Sequence, residues 1–223
     1  HLQTPKNDGW NVIQDPASWV DAEPGMRFRV LGEEWTYQSP AYLVLNKPVG
    51  TECSHKPGRW PSVYSLLPSP LRQRPNSGAV PGVQAVGRLD QDTTGLLLFS
   101  DDGVFIHRMA SPKHHVPKVY QVVCAHPVTP KHIDQLMSGV LCAGERQVWR
   151  ASAARITGPV SLELILTEGK YHQVKRMLAA VGNPVLQLHR SRMGQFDLPS
   201  DLAPGQWRWL SPEDLARVVA KND

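Results

Sequence analysis

Between residues 161 and 167 apolar and polar side chains alternate. Leu162, Leu164 and Leu166 fall on one face, and Glu163, Ile165 and Thr167 on the other. A period of two predicts a half-buried strand. The apolar runs at 42–45, 96–99 and 119–124 predict three more strands, the first ended by Pro48 and Gly50. The spacing changes at 171–181, where Val174, Met177, Leu178 and Val181 recur at helical intervals before Gly182 and Pro184. Lys175 and Arg176 fall off that stripe and are free to reach a partner. Thr129-Pro130 opens another helix, with Ile133, Leu136 and Met137 as its stripe and Gly139 as its end. Asp101 or Asp102 caps a short helix through Met109, stopped by Ser111-Pro112. A last helix starts at Ser211-Pro212 with Leu215, Val218 and Val219 inward. Short strands are expected in NVIQDPASWV and MRFRVLGEEW, around the Pro24-Gly25 turn. Residues 51–85, rich in Pro, Gly and Ser, read as a long loop with one short helix near 63–67. Strands in groups, short helices between them and no βαβ rhythm give an α+β class with a mixed, mostly antiparallel sheet.

With 223 residues, 41% hydrophobic and 20% charged, the chain can build a real core as one large domain, or one domain plus an appendage. No run approaches the roughly 20 apolar residues of a membrane helix. The first dozen residues are polar, which predicts no signal peptide, and the start at His1 rather than Met reads as a trimmed terminus. Three widely spaced cysteines point to a reducing cytoplasm. There is no CxxC or HExxH string, so no metal is expected. The net charge of +4 is a mild signal; its distribution is a stronger one. Basic residues gather at Lys113, His114, His115 and Lys118, at Lys170, Lys175 and Arg176, and at His189, Arg190 and Arg192. Three such clusters favour nucleic acid over other polyanions.

The string GRLDQDTTGLLL, residues 87–98, puts Arg88, Asp90 and Asp92 directly before a buried strand. Three chemistries compete for it. Asp90, Asp92, Thr94, Gly95 and Asp101 imitate a twelve-residue calcium loop. Against calcium, Leu96 to Phe99 are apolar where such a loop is solvated, and VPGVQAVG is a poor entering helix. A carboxylate pair for acid/base work is the second, with Asp90 and Asp92 on one strand face or Glu168 as a distant partner; nothing in the spacing establishes it. DTTG resembles the DTG of aspartic proteases, but with an extra Thr and no second copy. The third is a single Asp90 at the base of a cleft, kept ionised by Lys175 or Arg176 and suited to a nucleotide substrate. On the residues alone, that reading and a structural ion pair capping a turn stay open.

The strings LNKPVG (45–50), GRLDQDTTGLLLFSDDG (87–103), SPKHHVPKVYQV (111–122), TEGKYHQVKRMLAAVGN (167–183), LHRSRMG (188–194) and DLAPGQWRWL (201–210) resemble, in order, the bacterial ribosomal-RNA pseudouridine synthases of the RsuA type. The spellings KYHQVKRM and SPKHH resemble the branch acting on 16S rRNA. The resemblance implies a pseudouridine-synthase-like fold over residues 39–223, its sheet flanked by helices around a central active-site cleft. It implies that residues 1–38 are the remnant of an N-terminal S-four-like RNA-binding domain plus linker, lacking the helical half. The family's nucleophilic Asp falls on Asp90, its active-site Tyr on Tyr120 and its basic partner on Lys175. Arg88, Lys118, Arg176 and Leu164 are the implied substrate-binding residues, Arg176 being also the second choice for the partner. Leu166 is a further pocket candidate. The implied reaction breaks the C1′–N1 bond of a uridine, turns the uracil and forms C1′–C5, with no cofactor and no metal. The implied partner is ribosomal RNA or a pre-30S particle, met by a monomer in the cytoplasm and away from membranes. The target base must leave its stack, Arg88 is expected to brace the vacated space, and the basic clusters are expected to contact phosphates.

Overall fold

The apolar runs at 42–45 and 96–99 become neighbouring antiparallel strands, β5 (Tyr42–Lys47) and β7 (Thr93–Ser100), buried along almost their whole length. The computed structural model describes residues 2–6, 9–15, 20–74 and 81–220. Strand alternation splits the apolar side chains of β5 and β7 between two cores. Leu43, Leu45, Leu97 and Phe99 join the larger cluster, and Val44, Leu96 and Leu98 join the smaller one on the other face. A strand covered on both faces reads as a continuous apolar run for that reason.

Four strands precede β5: β1 (Leu2–Lys6), β2 (Gly9–Ile13), β3 (Arg27–Val30) and β4 (Glu33–Thr36). They form their own antiparallel sheet in the order β2-β1-β3-β4. It leans on the rest of the chain through a stacked pair, Trp35 on Trp207, with ring centres 6.3 Å apart. Arg74 ties the connection down by donating to the Gln38 carbonyl at 2.7 Å and pairing with Asp101.

The remaining strands are β6 (Gln84–Ala85), β8 (Lys118–Cys124), β9 (Ala153–Gly158), β10 (Ser161–Leu166), β11 (Val185–Met193), β12 (Phe196–Asp197) and β13 (Trp207–Trp209). With β5 and β7 they form a nine-stranded sheet along the path β13-β5-β7-β11-β8-β10-β9, with β6 beside β7 and β12 beside β11. The β7–β11 pair is parallel and the others are antiparallel. The α-helices are α1 (Ser69–Arg72), α2 (Gly103–Ala110), α3 (Pro130–Ser138), α4 (Gln173–Ala180) and α5 (Pro212–Val219), and the short helix expected near 63–67 is a 3-10 turn, Val63–Leu66. Asp102 caps α2 by accepting the N–H groups of Val104 and Phe105. No helix among the described residues is long and apolar enough to cross a membrane.

The α+β class and the mixed, mostly antiparallel sheet stand as expected. Several details differ. In NVIQDPASWV only Asn11 to Ile13 are extended, and residues 16–19 lie outside the described residues. The first strand, β6, β9, β11, β12, β13 and the short α1 inside the 51–85 segment were not anticipated. Met137 is 40% exposed; Leu136 and Ile133 alone make the inward face of α3.

The parallel β7–β11 contact imposes one strict requirement. Gly95 faces Arg190 in the register and has φ +102°, and a Cβ there would lie 2.3 Å from the Arg190 carbonyl oxygen. Gly95→Ala is therefore expected to cost about 3 kcal/mol or more and to lower the melting midpoint by roughly 6–12 °C. An unchanged calorimetric midpoint would show that β7 and β11 do not approach this closely.

Candidate active site

Strand register builds the floor of a cleft. Lys118 and Tyr120 are two residues apart on β8, so their side chains share a face. Tyr120 is opposite Leu164 on β10 and Arg190 on β11, and Lys118 is opposite Leu166. Lys118, Tyr120, Leu166, Leu188 and Arg190 line the cleft from below, and Arg88, Asp90, Glu168, Lys170, His172 and Lys175 line its walls and rim.

Asp90 sits in the loop between β6 and β7. Lys47, at the end of β5 and fully buried, pins that loop. Its ammonium donates to the carbonyl oxygens of Pro48 at 3.1 Å, Gln91 at 3.4 Å and Thr93 at 3.0 Å. Burial pulls the Lys47 ammonium below its usual range, against the attraction of nearby acids that include Asp92 and Asp90. The Gln91 carbonyl also accepts the Gly50 N–H at 2.7 Å. The LNKPVG string is thus the anchor of the Asp90 loop.

The opposite wall is the start of α4. Val174, Met177 and Leu178 bury their side chains, each worth about 1.5–3 kcal/mol, and this fixes Lys175 on the first turn. Its Nζ lies 2.9 Å from Asp90 Oδ2 and 2.5 Å from Asp92 Oδ1. Partial burial works against the Lys175 charge, but hydrogen bonds to Asp92 and Asp90 outweigh it and hold the ammonium above its ordinary range. At Asp92 burial likewise opposes the charge, and Lys175 wins, holding that carboxyl below the usual range. His172 precedes α4 in the left-handed conformation, φ +51°, and its Nε2 is 3.2 Å from Asp90 Oδ1. Each Asp90 oxygen therefore has its own partner from one helix end. A bulky residue held in that backbone region is strained, and such strain persists where the surroundings over-determine it.

The structure brings Asp90, Tyr120, Lys175, Arg88 and Lys118 together around one cleft. Asp90 is on the wall rather than at the base, with its side chain 27% exposed. Two nominated residues lie elsewhere. Arg176 faces away, donating to the Ala143 carbonyl and Glu145 at 2.7 Å and lying 4.4 Å over the Trp149 ring. Leu164 is fully buried beside Tyr120 in the core, and Leu166 lines the cleft instead.

The basic clusters are not three free surfaces. Lys118 and Arg190 are buried, Lys170 pairs with Glu168 at 2.8 Å, and Arg192 pairs with Asp197 at 2.6 Å. Burial, and secondarily the charge of Arg190, lowers the Lys118 ammonium to about 8. Nor does the calcium-like spacing become a cage. Thr93–Ser100 is extended, Thr94 bonds His189 at 2.9 Å, and Asp101 is spent on Arg74 and the Ala41 N–H. Sequence reasoning gave Lys47 and His172 no role of their own and read Arg190 as part of a phosphate-contacting surface, whereas it is buried in the cleft. His172 had a signal: it stands one helical turn before Lys175, on the same side of α4.

Residues 41–180 match the family model described as RNA pseudouridylate synthase. Among curated proteins, the chain is 42% identical over 183 residues to ribosomal small subunit pseudouridine synthase A of Yersinia pestis, covering 82% of this chain and 74% of that one. It is 42% identical over 213 residues to the protein of the same name from Salmonella typhimurium, covering 96% and 85%. A solved structure titled as a pseudouridylate synthase superposes with a TM-score of 0.74 at 35% identity, over 90% of this chain and 83% of that one. A chain of an H/ACA ribonucleoprotein bound to substrate RNA, at 17% identity and a TM-score of 0.51, shares the fold. The sheet, the cleft and these likenesses agree: the chain belongs to the RNA pseudouridylate synthase family.

Proposed function

We propose that the chain converts a uridine of small-subunit ribosomal RNA, free or in an assembling particle, into pseudouridine, with Asp90 as the reacting carboxylate. The observation that carries the site assignment is the Lys175 ammonium 2.9 Å from Asp90 at the mouth of a cleft floored by Tyr120. The choice of RNA is supported by the similar proteins, which are named for the small ribosomal subunit. Free cysteines at 53, 124 and 142 support a reducing cytoplasm as the place of action.

The chemistry follows from the arrangement. A uridine swung out of its stack puts its ribose against Asp90 and its uracil over Tyr120. Lys175 and His172 hold the carboxylate aimed, so no reorganisation is needed when C1′ becomes electron-poor. The uracil detaches at N1, turns on the Tyr120 face and rejoins through C5. The C5 proton is released and N1 gains one, so the product is an isomer and the balance requires neither oxidant nor group donor. Arg88, exposed on the rim, fills the space the base leaves. The four-stranded sheet of β1 to β4 serves as the strand part of an S-four-like RNA-binding unit, its place beside the catalytic sheet set by the Trp35–Trp207 stack.

A second carboxylate in the cleft, Glu168, is the feature a glycoside hydrolase would use. It is occupied by Lys170 at 2.8 Å and Gln173 at 2.7 Å. A hydrolase would release free uracil, which nucleoside analysis of the treated RNA distinguishes from pseudouridine.

Mapping pseudouridine in unmodified small-subunit rRNA or 30S particles tests the proposal. Asp90→Asn is expected to abolish product while RNA binding survives; lost binding in a folded variant would make Asp90 a contact residue instead. Lys175→Met is expected to cut single-turnover rate by about a hundredfold or more, and Arg176→Met by less than about threefold; the reverse ranking would reassign Asp90's partner. Lys47→Met keeps the apolar stem but frees the Asp90 loop. At least a tenfold loss of turnover, about 1.4 kcal/mol of transition-state stabilisation, is expected with RNA affinity retained. Wild-type turnover in that variant would mean that the loop holds its shape without the ammonium.

A further inference from the structure

Two buried cations in the cleft have no task in the reaction as described so far. Lys118 is 5% exposed and Arg190 2% exposed, yet both line the floor. Their partners are backbone carbonyls: Lys118 Nζ donates to Val116 at 2.9 Å, and Arg190 Nε donates to Leu96 at 2.8 Å. The Nη2 of Arg190 is buried with no hydrogen-bond partner among the described residues, and the Thr93 hydroxyl, also in the cleft wall, is in the same condition. Two like charges close enough to perturb each other, held out of water and bonded to neutral oxygens, are costly to keep. Such a floor is built for an anion.

The reaction generates one. When C1′–N1 breaks, the bonding pair leaves with the uracil and spreads over N1 and the ring carbonyl oxygens. The carboxylate of Asp90 on the wall suits the electron-poor C1′ and has the wrong sign for the departing ring. We propose that Lys118 and Arg190 are the anion site for the departing uracil, stabilising its charge as the bond breaks and retaining the ring while it turns. The nucleoside then lies along a field, with negative charge at the ribose end and positive charge under the base, matching the charge separation of the transition state. The stabilisation grows as the charge develops, so it acts on turnover rather than on RNA binding. C5 next returns an electron pair to C1′, the C5 proton is lost and N1 is protonated, which neutralises the ring. This inference rests on the proposed function, and the test separates the two.

Small-subunit rRNA is transcribed with uridine or with 5-fluorouridine throughout, and single-turnover loss of the target nucleoside is followed at pH 7. Fluorine makes the uracil anion less basic, so a 5-fluorouracil ring depends less on the floor. Lys118→Met is expected to slow reaction on the uridine transcript by about a hundredfold and on the fluorinated transcript by no more than about tenfold, with RNA affinity within about threefold of wild type. Lys118→Arg, which keeps the charge, is expected to retain most of the uridine rate. Arg190→Met should show the same substrate-dependent pattern; if its melting curve shows that it does not fold, the Lys118 variants carry the test. Equal losses on the two transcripts, or full activity in Lys118→Met, would overturn the anion site while leaving the synthase function standing. A wild-type chain that forms no pseudouridine would instead overturn the proposed function, and this inference with it.

Discussion

One ammonium, that of Lys175, holds two carboxylates that would otherwise repel each other across a short loop. Asp90 and Asp92 are two residues apart, and both reach the same cation within 3 Å. The side chains are 25–50% exposed, so solvent screens the attraction and its worth to stability is small. Its worth is positional. It fixes which way the Asp90 carboxylate points, beside a cleft that must also admit an uncharged base.

The rest of the fold serves that geometry. Lys47 holds the Asp90 loop by the Gln91 and Thr93 carbonyls, the buried stripe of α4 holds Lys175, and Gly95 lets β7 and β11 come close enough to bring Arg190 beneath the same cleft. β7 has an apolar core on both of its faces, so the loop before it has little freedom to shift. Rigid elements therefore present a small number of polar groups, which is the condition for a site organised before its substrate arrives.

The apolar pattern alone revealed β5, β7, β8 and β10, as continuous or alternating apolar runs, and the inward face of α4, whose apolar residues recur at helical spacing. It failed for β11. That strand reads VLQLHRSRM, with a buried Arg190 where a core strand would carry an apolar residue. A strand that gives inward positions to a site loses the signature of a strand, and its cations look like surface. The same effect hid Lys47 and made Lys118 look exposed. Asp90 and Lys175 were found as a pair because Lys175 falls off the apolar stripe of its helix and the matching strings agree with it. Arg176, its neighbour, points elsewhere since one residue along a helix turns the side chain by about 100°, toward Glu145 and Trp149. Leu164 failed as a pocket residue through its place along β10, which alternation does not report: Leu164 and Leu166 share a face and are both buried, but the cleft opens over Leu166.

The most direct measurement is a crystal structure of the chain with a small-subunit rRNA fragment carrying 5-fluorouridine at the modified position. That nucleotide is expected to be extruded into the cleft, its ribose C1′ against Asp90, its ring on the floor formed by Tyr120, Lys118 and Arg190, and Lys175 still bridging Asp90 and Asp92. A nucleotide left stacked in the RNA, bound away from Asp90, or seated with the Asp90–Lys175 pair broken would contradict it.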